Sequence, residues 1–148
     1  MSNLGDLVAG IARAWIGTPY IHQASCRGAG TDCLGLLRGI WREVYGTEPE
    51  AVPAYTPDWS EPAGDEVLWQ ASTRHLLAKS VEDAAVGDVL LFRMSIQGVA
   101  KHLGIQTAVG RQAAFVHAYA RHGVIENALS APWQKRLVAR FSFPERKG

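Results

Sequence analysis

The sequence predicts an α+β domain, with helices first and antiparallel strands afterwards. Three observations carry this. Near the start, apolar residues recur at helical spacing, as in Leu4, Leu7, Val8, Ile11, Ala12 and Trp15. From Gly87 onward the period changes to short apolar runs separated by glycine or polar turns. Between these regions Pro49, Pro53, Pro57 and Pro62 interrupt any regular element. A chain of 148 residues with 47% hydrophobic and 20% charged content is enough for one domain, residues 1–148, with its own core.

The first predicted helix covers residues 3–16 and is stopped by Gly17-Thr18-Pro19. Residues 21–31 are small and polar and read as a loop. Asp32 is a good N-cap for the next helix, which is lined by Leu34, Leu37, Ile40, Trp41, Val44 and Tyr45 and closed by Gly46. Residues 47–64 read as an irregular excursion, and a further helix is expected from about Asp65 to Lys79. Five strands follow, at Asp88–Arg93, His102–Thr107, Ala114–Ala120, Val124–Leu129 and Leu137–Phe143. The expected architecture is N-terminal helices packed on a C-terminal antiparallel sheet of about five strands.

Composition removes several function classes. A formal net charge of +1 gives no reason to expect nucleic acid as a partner. No apolar run approaches a membrane span, so membrane insertion is not expected. The opening residues lack the basic region of a secretory signal, so synthesis in the cytoplasm without a signal peptide is expected. Cys26 and Cys33 are too few for a disulfide framework. A metal site from Cys26, Cys33 and His22 is conceivable, but this spacing suits no familiar zinc motif, and neither metal nor cofactor is expected.

The chemistry centres on Cys33. A free cysteine is usually a small buried hydrophobe. This one opens a predicted helix straight after a loop carrying Gly28 and Gly30. A helix N-terminus has partial positive charge and unpaired N–H groups, which favour a thiolate and predict a depressed pKa. Cys26 has no such placement. His102 heads a predicted strand, where an imidazole can overhang a cleft and exchange a proton with a thiol; the bland alternative is a structural histidine. His117 lies within the apolar run Phe115–Tyr119 and needs a hydrogen-bond partner if buried. In a hairpin turning at Val109–Gln112, with those two residues opposed, residue 104 faces residue 117. His102 and His117 then share one sheet face, diagonal to each other. A slip of one residue would separate them. His22, His75 and His122 fall in loops or on a helix surface and read as solvated. Tyr20 is either a core-edge aromatic or a phenol aimed into the cleft, able to donate to an oxyanion beside the Cys33 N–H.

These residues resemble the NlpC/P60 superfamily of papain-like cysteine peptidases. The resemblance runs through Trp15–Tyr20, Asp32–Leu36, Val86–Phe92, His102–Ile105 and Val116–Ala118, in the family's order. The wording is most similar to the phage-type branch, cell-wall peptidases encoded near tail genes of phages and gene transfer agents. Ser130–Trp133 and Phe141–Pro144 also resemble that branch. The resemblance implies that Cys33 is the nucleophile, His102 the base and His117 the residue orienting it, with Tyr20 and Asp32 serving the oxyanion and substrate. It implies hydrolysis of an amide in peptidoglycan stem peptides, often between D-glutamate and diaminopimelate. Leu34 stands where relatives carry a small polar residue, which bears on the subsites.

Three functions follow from this reading: a murein hydrolase delivered by a phage-like tail, a thiol amidase or acyltransferase on another substrate, and a structural tail component docking to a hub protein. For a tail component, the Pro-rich excursion around Tyr55 and Trp59 is the expected partner surface, unless it packs on its own helices.

Overall fold

The computed structural model describes residues 3–50, 55 and 66–146. Helix α1 (Leu4–Ala14) begins where Asn3 accepts a hydrogen bond from the Asp6 N–H and ends before Gly17, whose φ of 95° suits glycine. Two short strands, β1 (Ser25–Cys26) and β2 (Gly30–Thr31), pair antiparallel inside what the sequence presented as an open loop. Helix α2 (Cys33–Tyr45) follows, with Asp32 at its N-cap and Gly46 at its C-cap.

Helix α3 (Val67–His75) is shorter than expected. Its predicted last turn is instead strand β3 (Leu77–Lys79), and Asp65 lies outside the described residues. Local propensity favours helix there, but the sheet edge supplies backbone partners and the Asp88 carboxylate takes Lys79 Nζ at 2.9 Å. The remaining strands are β4 (Val89–Arg93), β5 (Ala100–Ala108), β6 (Ala114–Tyr119), β7 (Gly123–Ala128) and β8 (Leu137–Ser142). A short helix, α4 (Ala131–Arg136), connects the last two and went unread in the sequence, although Pro132 in its first turn signals it.

Among the described residues, β3 to β8 form one six-stranded antiparallel sheet in the order β3-β8-β4-β5-β6-β7. One face packs on α1 and α2. Val8, Ala12 and Trp15 from α1 and Leu36, Ile40 and Val44 from α2 bury against Leu91, Leu103, Ile105, Val116 and Val124. The other face holds a smaller apolar cluster of Leu90, Phe92, Phe115 and Leu129, against which Trp133 and Leu137 pack. Alternation along β5 therefore sends Leu103 and Ile105 to the helices, and His102, Gly104 and Gln106 to the second face. Gly104 has no side chain for a reason: a Cβ there would sit 2.7 Å from the Phe115 ring.

At one end of that second face, Arg140, Asp88 and Gln106 are buried together. Arg140 donates to Asp88 Oδ2 at 2.9 Å, to Gln106 Oε1, and to the Val81 carbonyl at 2.9 Å. Asp88 also receives the Ala85 N–H and the Lys79 ammonium, so every strong group in the cluster has a partner. Breaking such a cluster costs more than forming it returns. Asp88→Ala leaves a buried guanidinium without its carboxylate and is expected to lower stability by about 3–5 kcal/mol. Urea denaturation followed by tryptophan fluorescence measures this; a loss below about 1 kcal/mol would show that Arg140 reaches water.

Candidate active site

Asp32 organises the approach to Cys33. Its backbone is extended, Oδ1 accepts from the Gly35 N–H at 2.7 Å, and Oδ2 accepts from the Gln23 N–H at 2.7 Å and from the Tyr55 hydroxyl. His22 lies 3.7 Å from the same oxygen. One carboxylate thus caps α2 and ties down residues 22–23 and Tyr55. It is 2% exposed, so the structure uses it as a cap with its oxygens engaged internally.

Cys33 is the first residue of α2 and is 6% exposed. Its thiol donates to the Lys101 carbonyl at 3.6 Å. The strands explain this contact. Pairing of β5 with β6 runs through Ile105–Val116, Gln106–Phe115 and Ala108–Ala114. On the other side of Ile105, β5 stays paired with β4 but no longer with β6, which leaves the backbone around Lys101–Leu103 open to the sulfur. The N–H groups of Leu103, Leu34 and Cys33 itself also favour the thiolate.

The expectation of a depressed thiol pKa is overturned here. Burial pushes the Cys33 thiol up to about 12, and the Asp32 carboxylate adds to it. The helix-terminal N–H groups pull the other way and are outweighed, because removing a thiolate from water costs more than a few partial charges return.

His102 and His117 share the second sheet face, as the register argument expects. Extending the observed pairing sets residue 104 opposite 117, although a bulge near Thr107 and a one-turn helix at 110–112 replace the tight turn with Val109 opposite Gln112. His102 Nε2 and His117 Nδ1 are hydrogen-bonded at 2.7 Å. His117, fully buried, bonds through Nε2 to Asn127 Oδ1 at 2.6 Å. Burial lowers the His102 pKa to about 3, with the neighbouring His117 adding to the shift. Burial also lowers His117 to about 4, opposed by the bond to Asn127. Trp133 packs against both rings, at centroid separations of 5.8 and 5.1 Å.

Tyr20 is half-buried and neighbours Cys33 and Asp32 electrostatically; burial first, then those two groups, raises its phenol to about 12. It remains a neutral donor at any ordinary pH. Cys26 is exposed on β1. The three histidines read as solvated have partners: His22 on the Tyr55 carbonyl at 2.8 Å, His75 on Glu50 at 2.6 Å, and His122 stacked on Tyr119. Tyr55 turns inward onto Asp32 and is not a free docking residue, and Trp59 lies outside the described residues. Nothing local in the sequence marks Asn127 as a site residue, and Tyr55 reads there as part of a partner-facing excursion rather than as a neighbour of Asp32.

Comparison with known proteins places the fold. A model described as the NlpC/P60 family matches residues 17–141. The fold is similar to the NlpC/p60 domain of the peptidoglycan hydrolase SagA, with a TM-score of 0.62 at 24% identity over 96% of this chain and 100% of that one. It is also similar to an NLP/P60 family protein from Staphylococcus aureus subsp. aureus Mu50, with a TM-score of 0.63 at 19% identity over 96% of this chain and 42% of that one. NlpC1 from Trichomonas vaginalis has a TM-score of 0.61 at 20% identity over 97% and 45% of the respective chains. The chain therefore spans less than half the length of the last two. No curated protein sequence matches it significantly.

Two expectations follow. At neutral pH both partners are neutral, so the thiolate absorbance difference between the protein and Cys33→Ser should be absent and should emerge only at alkaline pH. A thiolate signal of full amplitude at neutral pH would refute the burial argument. Both imidazoles titrate near 6.5 when unfolded and far lower when folded. Below pH 6.5 the unfolded chain binds more protons, so stability should fall as pH drops from there toward about 4 and on to about 3. Thermal melts of the protein and of His102→Gln/His117→Gln check this. The double variant should show a shallower fall before the carboxylates begin to titrate.

Proposed function

The chain belongs to the NlpC/P60 family, and from that premise we propose that it is a cysteine peptidase hydrolysing an amide bond in peptidoglycan stem peptides. The observation that carries this is the thiol at the start of α2 lying against the Lys101 carbonyl, one residue before an imidazole that is itself hydrogen-bonded to a second imidazole.

In this mechanism Cys33 attacks as its proton passes to His102. The two groups start neutral, so proton transfer accompanies attack and no preformed ion pair is involved. His102 Nε2 is engaged by His117, which leaves Nδ1 to receive the proton. The Sγ–carbonyl carbon bond forms, and the carbonyl oxygen takes negative charge near the Cys33 N–H and the Tyr20 phenol. The imidazolium returns its proton to the leaving amine as the amide C–N bond breaks. Water, deprotonated by the same imidazole, then hydrolyses the thioester and regenerates the thiol.

The finer reading is that the bond lies between D-glutamate and diaminopimelate, and that the enzyme works in the cell wall or periplasm as a component of a phage-like tail, partnered by tail or hub proteins. The likeness of Ser130–Trp133 and Phe141–Pro144 to the phage-type branch supports it.

Incubation of purified protein with defined muropeptides, followed by mass spectrometry, tests the activity. Cleavage of a stem-peptide amide is expected. Cys33→Ser should reduce it by at least about 1,000-fold, with the fold retained, whereas Cys26→Ser should not affect it. Turnover of esters or amine acceptors without any stem-peptide cleavage would favour the acyltransfer reading. For the tail role, particles carrying Cys33→Ser should assemble yet deliver DNA poorly; normal delivery would assign the protein a structural part instead.

A further inference from the structure

The hydrogen-bond chain that reaches His102 does not start at His117. His117 uses both ring nitrogens, Nδ1 on His102 Nε2 at 2.7 Å and Nε2 on Asn127 Oδ1 at 2.6 Å. A neutral imidazole has one N–H and one lone pair, so the partner of one nitrogen dictates the state of the other. An amide oxygen only accepts. His117 therefore carries its proton on Nε2 and presents a lone pair at Nδ1. That lone pair also only accepts, so His102 must carry its proton on Nε2. The lone pair of His102 is then at Nδ1.

We infer that Asn127 is a positioning residue of this site: its side-chain oxygen sets the tautomer of His117, and through it the tautomer of His102, so that the lone pair at His102 Nδ1 is available to the Cys33 proton. The inference rests on the reading of Cys33, His102 and His117 as the catalytic set. Asn127 touches no reacting atom. With its amide turned the other way, the NH2 group would donate to His117 Nε2. Each proton in the chain would then move to the opposite nitrogen, and His102 would offer Cys33 an N–H where a base is needed.

The strands place Asn127 for this role. On β7, Asn127 pairs with Phe115 and Ile125 pairs with His117, so Asn127 is diagonal to His117 on the second sheet face. It repeats across β6 and β7 the diagonal that relates His102 to His117 across β5 and β6. Asn127 also lines a cavity of about 410 Å³ shared with Tyr119, His122, Trp133 and Arg136. Phe92 and Phe115 also pack on the two rings, at centroid separations of 5.9 Å from His102 and 4.3 Å from His117. The cavity lets position 127 take a side chain of similar size without crowding the core.

Three variants and one spectroscopic signature test this on the intact protein. Long-range nitrogen–proton NMR of the imidazoles should show His102 and His117 both protonated at Nε2 in the unaltered protein. Asn127→Leu removes the acceptor; both rings should then populate mixed tautomers, and kcat should fall about tenfold to a hundredfold with KM little changed. Asn127→Asp keeps an acceptor-only partner, so it should retain the Nε2–H tautomers and restore most of the rate. Its added negative charge should move the acid limb of the rate to higher pH. His117→Gln, which cuts the chain nearer His102, should make the Asn127→Leu substitution silent. Alkylation of Cys33 by iodoacetamide gives a second rate that needs no peptidoglycan. If muropeptides are not cleaved but the tautomers and the alkylation rate respond to Asn127→Leu, the positioning role stands and the substrate assignment falls. An Nδ1–H tautomer at His102 in the unaltered protein would overturn the inference. So would Asn127→Leu leaving tautomers, alkylation rate and pH profile unmoved, whatever the activity on muropeptides.

Discussion

Ile105 pairs with Val116 and Gln106 with Phe115, and the arrangement of the site depends on that registry. It puts His102 and His117 on one face of the sheet, with Leu103, Ile105, Val116 and Ala118 on the other, against the helices. A slip of one residue would exchange the two sets, burying imidazoles under α2 and exposing the core. The hydrophobic face therefore fixes which face of the sheet carries the two imidazoles. Gly104 makes the close approach possible, since the Phe115 ring and the His117 Cβ occupy the space a side chain would need. Beyond Ile105 the two strands separate, and the thiol meets the backbone that this separation exposes.

The second constraint is the Asp32 carboxylate. Capping α2 is worth about 1 kcal/mol in an ordinary helix. Here the same group also holds Gln23, His22 and Tyr55, so the loop before Cys33 is fastened to the helix that carries it. Its charge has a cost, because a carboxylate one residue from a buried sulfur opposes the thiolate. Desolvation is the larger effect, and the two together leave the resting thiol protonated. The histidines are driven to neutrality by the same cause. Burial thus sets a neutral thiol and two neutral imidazoles as the resting state of the site.

Two polar clusters occupy the second sheet face, and they solve burial differently. Around Arg140, opposite charges and amides satisfy one another completely, and the cluster is inert. Around His102, the chain through His117 to Asn127 satisfies one nitrogen of His102 and leaves the other unbonded among the described residues. The first holds strands together. The second stores a lone pair in a defined place.

Much of this was legible in the residues alone. Helical spacing located α1 and α2, Asp32 and Gly46 marked the ends of the second, and the change of period after Gly87 located the strands to within a residue or two. The pairing of His102 with His117 followed from counting residues across one hairpin. The sequence could not show that residues 77–79 leave a helix to extend the sheet, that residues 25–31 form a small hairpin, or that Tyr55 turns onto Asp32, because each of those outcomes is decided by a partner distant in the chain. It also could not decide the protonation of Cys33. A helix start is a local signal and predicts a thiolate. The degree of burial belongs to the packed structure, and desolvation outweighs the helix dipole there. Asn127 was illegible for the same reason: its role comes from lying two strands away from His102, a distance that only the folded sheet makes short.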